Sequence, residues 1–157
     1  MATASATSTA PLRSSLALHP GQAKSTHLTS KAVTERATLS IPSTPPSFNK
    51  VGLHSHWSVG RKAKQDWEQW LLIALLEQRV PKGLASINAS ATIRFKERRR
   101  RDEGNFKPLI EKALGDVLQN GWLEDDTPEL YRFGAVELLA PVERPETIVV
   151  LDYERSC

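Results

Sequence analysis

Cysteine is almost missing from this 157-residue chain; the single one is Cys157. That excludes an intrachain disulfide and a multi-thiolate zinc site, and it suits a reducing compartment. Long hydrophobic runs are missing too. The longest, Trp70 to Leu76, lies within an amphipathic stretch and falls short of the roughly 18 apolar residues a membrane span needs. No membrane association is expected. There is no glycine-rich phosphate loop, and no Ser/His or Cys/His pairing that supports nucleophilic catalysis. His19, His27, His54 and His56 form no metal-ligand pattern, and His54 and His56 beside Trp57 read best as a loop against the core.

Acidic residues are scarce at the start. Residues 1–36 hold only Glu35 against Arg13, Lys24, Lys31 and Arg36, are rich in Ala, Ser and Thr, and show no lasting hydrophobic period. Such a segment offers little apolar surface to offset the entropy of ordering it, so a disordered tail is expected. Its Ser-rich, acid-poor character has something of a transit peptide, but it lacks the amphipathic, Arg-rich pattern; a plain extension fits better. Four of the 21 basic residues and one of the 18 acidic residues lie there, leaving 17 of each in residues 37–157. The second segment is therefore neutral overall, and any nucleic-acid binding has to come from local clustering.

Order is expected from near Thr38. "TLSIPSTPPSFNK" reads as a short strand through Leu39 and Ile41, then a loop stiffened by Pro45 and Pro46. Trp67, Trp70, Leu71, Ala74, Leu75 and Gln78 follow a helical step, predicting a helix from about Arg61 to Arg79 with Ser58 as cap. Ile87, Ala89, Ala91, Ile93 and Phe95 alternate with polar residues as a half-buried strand does. Phe106, Leu109, Ile110, Ala113, Leu114, Val117 and Leu118 form the stripe of a second helix, expected to be capped by Asn105 and ended by Gly121. Two strands, about Tyr131–Leu139 and Thr147–Tyr153, complete an α+β domain. The expectation is a small mixed sheet with two main helices in the order β-α-β-α-β-β, behind a disordered tail.

The charged residues that are present cluster. Arg94 and Lys96 lie on the polar side of the strand, and Arg98, Arg99, Arg100 and Arg101 extend it before an abrupt change of sign at Asp102 and Glu103. Guanidinium forks suit phosphate oxygens, while a solvated run offset by neighbouring acids is the plainer alternative. Glu124, Asp125 and Asp126 follow just past the second helix. A helix of that length covers about 20 Å, so the two acidic groups meet only if the acidic loop folds back. Oxygen-only ligands of that kind suit Mg²⁺, with Mn²⁺ as a substitute. Lys112 and Asp116 stand four apart, either as an exposed ion pair or with the lysine aimed at phosphate.

Together "IPSTPPSFN" (Ile41 to Asn49), "RRRRD" followed by Asn105, the striped helix ending in "DVLQNG", and "WLEDD" resemble the RusA-like Holliday-junction resolvases. The resemblance covers most of residues 38–155. It implies a Mg²⁺-dependent endodeoxyribonuclease, bacterial or phage-encoded and cytoplasmic, that nicks four-way junctions in recombination and repair as a homodimer. It places metal-binding catalytic carboxylates at Asp102 and Asp126, with Asp125 beside the latter. A further family acid falls on Gly104, where Glu103 or Asp116 are the available substitutes. The family's helical lysine maps to Lys112 or Lys107. Arg101 matches a residue expected on the DNA backbone, with Arg98, Arg99, Arg100 and Asn49 as further DNA contacts. Gly104 also leaves open a junction-binding protein that no longer cuts. A third reading is a fold-only likeness, in which the arginines bind RNA or a protein.

Overall fold

The computed structural model describes residues 33–47 and 57–156. Spatial contacts divide the chain after Ser30, and every described element lies in the second unit, Lys31–Cys157. The expected disorder of residues 1–32 lies outside the described residues, as do Asn49, His54 and His56.

The first strand, β1 (Thr34–Ile41), begins inside the stretch expected to be tail. Its last five residues alternate, burying Ala37, Leu39 and Ile41. Its first three have no apolar residue to announce them. They are held instead by the ladder to the last strand and by two charged pairs, Arg36–Asp152 and Arg155–Glu35, each at 2.6 Å. The bonded guanidinium groups hold both carboxyls below the ordinary carboxylate range.

Helix α1 (Trp57–Glu77) turns Trp67, Leu71, Ala74 and Leu75 inward. It starts before Ser58, which is therefore a helical residue rather than the expected cap. It ends on Arg79, whose φ of 51° reverses the chain so that Val80 N–H reaches the Leu75 carbonyl and Arg79 N–H the Leu76 carbonyl. This is a Schellman closure without the usual glycine. Strand β2 (Leu84–Arg94) follows, burying Ile87, Ala89, Ala91 and Ile93.

A 3-10 turn, Glu103–Asn105, then leads into α2 (Lys107–Leu118). Asn105 is not the cap of α2, because it lies within this turn. Phe106 holds that position with no side-chain cap, and Asp102 caps the 3-10 turn instead. Gly121, at φ 104°, lets the Trp122 and Leu123 N–H groups both return to the Leu118 carbonyl. Strands β3 (Tyr131–Leu139) and β4 (Glu146–Arg155) close the domain.

The four strands form one mixed sheet in the order β1-β4-β2-β3, with β2 and β3 parallel and the other pairs antiparallel. This is the expected α+β arrangement of two helices and a small mixed sheet. The parallel pair follows from the crossover through α2, since parallel neighbours need a long connection. The helices share a core with Leu39, Ile41, Ile87, Ile93, Val149 and Leu151 on one face of the sheet. The other face carries Thr38, Ser40, Asn88 and Ser90. No helix among the described residues is long and apolar enough to cross a membrane.

One fully buried polar residue ties a loop to this frame. Thr147 donates its hydroxyl to the Ser43 carbonyl at 2.8 Å, anchoring the segment that carries Pro45 and Pro46. Thr147→Val keeps the shape and deletes the donor. A loss of about 1 kcal/mol in the urea-denaturation free energy is expected, and an unchanged value shows that the bond does not hold the loop.

Candidate functional site

β2 delivers the arginine run to the edge of the sheet. Phe95, just past its end, stacks obliquely on Phe106 with ring centroids 5.2 Å apart. Arg101 lies over the Phe95 ring at 3.9 Å and donates to the Glu97 carbonyl at 2.8 Å. This pins the end of the run and directs the chain into the 3-10 turn. A cleft of about 1230 Å³ opens here, in which Arg99, Arg100, Arg101, Asp102 and Glu103 meet the Pro45–Pro46 loop. Arg98 is exposed outside this lining, and Arg99 pairs with Glu97 at 3.1 Å. Arg94, grouped with the basic cluster by sequence, is bound to Glu146 across the β2–β4 ladder at 2.8 Å and does not face the cleft.

Asp102 accepts a hydrogen bond from Gly104 N at 2.9 Å, which fixes the carboxylate against the turn. A Cβ built on Gly104 stands 3.4 Å from Asp102 Oδ1, an ordinary contact. Position 104 is therefore where a second acid would adjoin the first. Glu103 lines the cleft from the adjacent position.

The acidic loop goes elsewhere. Asp125 turns its carboxylate back onto its own loop, accepting from Asp126 N at 2.8 Å. Asp126 docks against the middle of α2, where the missing side chain of Gly115 makes room: a Cβ there would lie 3.5 Å from Asp126 Oδ2 and 3.2 Å from the Tyr131 ring. Tyr131 donates its hydroxyl to the Glu111 carbonyl at 3.0 Å. Burial raises its pKa, and the nearby charges of Glu111 and Asp126 push in the same direction. Asp126 thus lines a second, smaller cleft with Lys112, Glu111, Pro108, Tyr131 and Arg132.

The arginines, Asp102 and Glu103 share one cleft, while Lys112 and Asp126 share another. Asp102 and Asp126 line different clefts, and Gly115 and Tyr131 seat the acidic loop against α2. Lys107, on the first turn of α2, lines neither cleft. Among the described residues no three His, Cys, Asp or Glu side chains stand close enough to hold a metal ion. The oxygen donors of Asp102 and Glu103 still suit Mg²⁺, which is commonly held by one or two carboxylates together with water and substrate phosphate.

Sequence reading passed over Glu137 and Arg132, which line the first and second clefts from β3. Both lie on that strand's exposed alternation, a signal that acquires meaning only once β3 is known to be an edge.

Asp116, the other substitute for the missing acid, is engaged away from both clefts. It binds Lys64 of α1 and, at 3.0 Å, Lys112. Burial opposes its ionisation, but the two lysines outweigh that and hold its carboxyl below the ordinary value of 3.8; the bond to Asp116 in turn raises Lys64 above 10.5. A carboxyl lowered on folding contributes stability above its unfolded pKa, lost as pH falls through the folded value. A raised lysine contributes below its unfolded pKa, lost as pH rises through the folded value. The stability difference between wild type and Asp116→Asn is therefore expected to be full from about pH 5 to about pH 10 and to decline as pH drops below 3.8 towards the lower folded value. Denaturation midpoints across pH 3–8 check this, and a difference independent of pH sinks it.

No family model and no curated protein matches this sequence.

Proposed function

We propose that the chain is a Mg²⁺-dependent endonuclease that nicks branched DNA, with the four-way junction as its substrate, in the cytoplasm of a bacterial or phage-infected cell. The observation that carries this reading is the single cleft in which Arg99–Arg101 meet Asp102 and Glu103. Guanidinium groups neutralise backbone phosphates, and each phosphate contact releases counterions. Asp102 and Glu103 are the residues that would hold Mg²⁺, which when bound supplies Lewis-acid charge at the scissile phosphate and lowers the pKa of water. Arg101, locked over Phe95, is already ordered before substrate arrives, so its orientation costs little at the moment of reaction. Asp126 and Lys112 act from the second cleft, on the same strand of DNA.

A second reading, a junction binder without chemistry, is favoured by Gly104, which leaves Asp102 with only Glu103 beside it. Incubating a labelled four-way junction with Mg²⁺ or with EDTA separates the two. Paired, Mg²⁺-dependent nicks are expected, reduced at least about 100-fold in Asp102→Asn. Gly104→Asp, which the backbone accepts without a clash, is expected to lower the Mg²⁺ concentration needed. Salt-sensitive junction binding with no product in any variant makes the chain a binder. Equal affinity for junction and linear duplex points instead to a fold-only likeness.

The proposed enzyme works as a homodimer, so that two sites related by a two-fold axis address two opposed strands. Supporting this, the last two turns of α1 are apolar on both sides. Opposite its buried stripe, Trp70, Ile73 and Leu76 remain 40%, 48% and 57% exposed, and a helix apolar all round is normally covered. Leu76→Glu is expected to convert dimer to monomer in analytical ultracentrifugation with the fold unchanged by circular dichroism. A wild-type monomer at tens of micromolar overturns the dimer.

A further inference from the structure

The two clefts open on the same rim of the sheet. β3 ends the order β1-β4-β2-β3, so its outer backbone groups have no strand partner in this sheet. Val136, Glu137 and Leu138 wall the first cleft, while Tyr131, Arg132 and Phe133 wall the second. What separates them is Gly134 and Ala135, both exposed. Here the register slips: Ala89 faces Phe133 and Ala91 faces Val136, so β3 carries one residue too many at Gly134–Ala135. Bulges of this kind bend an edge and cluster beside functional sites. With the two smallest side chains of the strand at the bend, the wall between the clefts is a low saddle.

Each cleft supplies cations. In the second, Lys112 is drawn to Asp116 at 3.0 Å. Arg132 has no carboxylate within salt-bridge distance among the described residues, and its Nε donates to the Pro128 carbonyl at 3.0 Å. That bond fixes the stem of the guanidinium and leaves its terminal nitrogens directed to other partners. Six residues of β3, Arg132 to Glu137, face the five of β2 from Asn88 to Thr92, an advance of about 13 Å that a short stretch of one nucleic-acid strand covers.

We propose that the free edge of β3 is the floor of one continuous groove for a single nucleic-acid strand. Arg132 holds a backbone phosphate in it a few nucleotides from the phosphates held by Arg99–Arg101. This rests on the DNA-binding reading above and adds a contact and a path to it. The strand crosses the saddle at Gly134–Ala135, where any larger side chain would stand in its way. The groove reads the backbone rather than base edges, so affinity is set by charge and length and not by sequence.

The test uses the full chain and fluorescence anisotropy with unstructured deoxyoligonucleotides of 3 to 12 nucleotides and with a four-way junction, each titrated across salt. Affinity is expected to rise steeply until the strand is long enough to span both clefts and to flatten beyond. Arg132→Gln is expected to reduce the slope of log affinity against log salt by about 1. Ala135→Glu, which sets a like charge on the saddle, is expected to weaken oligonucleotides long enough to span both clefts at least about tenfold and shorter ones little. Urea midpoints for both variants verify that they fold, and a purely structural role for the Pro128 contact would move the midpoint without moving the salt slope. Wild-type binding with an unchanged slope in Arg132→Gln and unchanged length dependence in Ala135→Glu overturns the groove. A wild type that binds with the expected length dependence but never nicks overturns the nuclease and supports the groove. A wild type that binds no DNA overturns both.

Discussion

The arrangement of this domain depends on how closely β3 can approach α2. Gly115 is the enabling residue: any side chain there would press on the Tyr131 ring, with its Cβ 3.2 Å from it. A glycine inside a helix costs about 1 kcal/mol relative to alanine, and here that cost is set against a tyrosine that spans the gap and bonds the Glu111 carbonyl. Because Tyr131 opens β3, the contact fixes where the strand starts. It thereby places one cleft at each half of the strand, and it stations Asp126 at mid-helix rather than beside Asp102.

Charge plays two different parts around this frame. The pairs Arg36–Asp152, Arg155–Glu35 and Arg94–Glu146 all bridge neighbouring strands. They are at least partly solvated, so each contributes little to stability. Their role is register, since a slip of one residue would exchange the buried and exposed faces of a strand. The Lys64–Asp116–Lys112 group performs the corresponding service between the two helices, while also restraining a lysine that lines the second cleft. What is left over is the arginine run. Its end is ordered by an aromatic ring, and Arg98 and Arg100 have no carboxylate partner among the described residues. A neutral domain can present a basic edge because several of its other cations, Arg36, Lys64, Arg94, Lys112 and Arg155, are paired with carboxylates elsewhere.

Much of this was legible where a single periodicity decided the matter. The alternation from Ile87 to Ile93 and the stripe from Phe106 to Leu118 both specify their elements, because each buries one face and no other. The signal failed where backbone pairing or loop chemistry decided instead. Thr34–Arg36 carry no apolar residue, yet they are strand because β4 offers them a ladder. Asn105 has the composition of a helix cap, but the Asp102 carboxylate captures the Gly104 N–H and tightens the chain into a 3-10 turn first. The site divided along the same line. The arginines and Asp102 are adjacent in sequence and stay together in space. The distance between Asp102 and Asp126 depends on a loop docking at Gly115, and nothing local to either acid encodes it.

Gly104 brings these threads to one residue. With no Cβ it makes no demand on the space beside Asp102, and its N–H satisfies one oxygen of that carboxylate. An acid at 104 would keep the same N–H and bring a like charge near Asp102 Oδ1, an arrangement that is costly without a cation between the two groups. Glycine therefore avoids a repulsion that a cation would otherwise have to offset, so the turn needs no metal to relieve it. Glu103 reaches the same cleft from one position earlier on a longer and freer side chain, paying more rotamer entropy when it is held in place. For a metal site built this way, affinity is lower and occupancy follows the arrival of phosphate. In the proposed nuclease, the Arg99–Arg101 run that would gather substrate phosphate would therefore also help Asp102 and Glu103 to hold Mg²⁺.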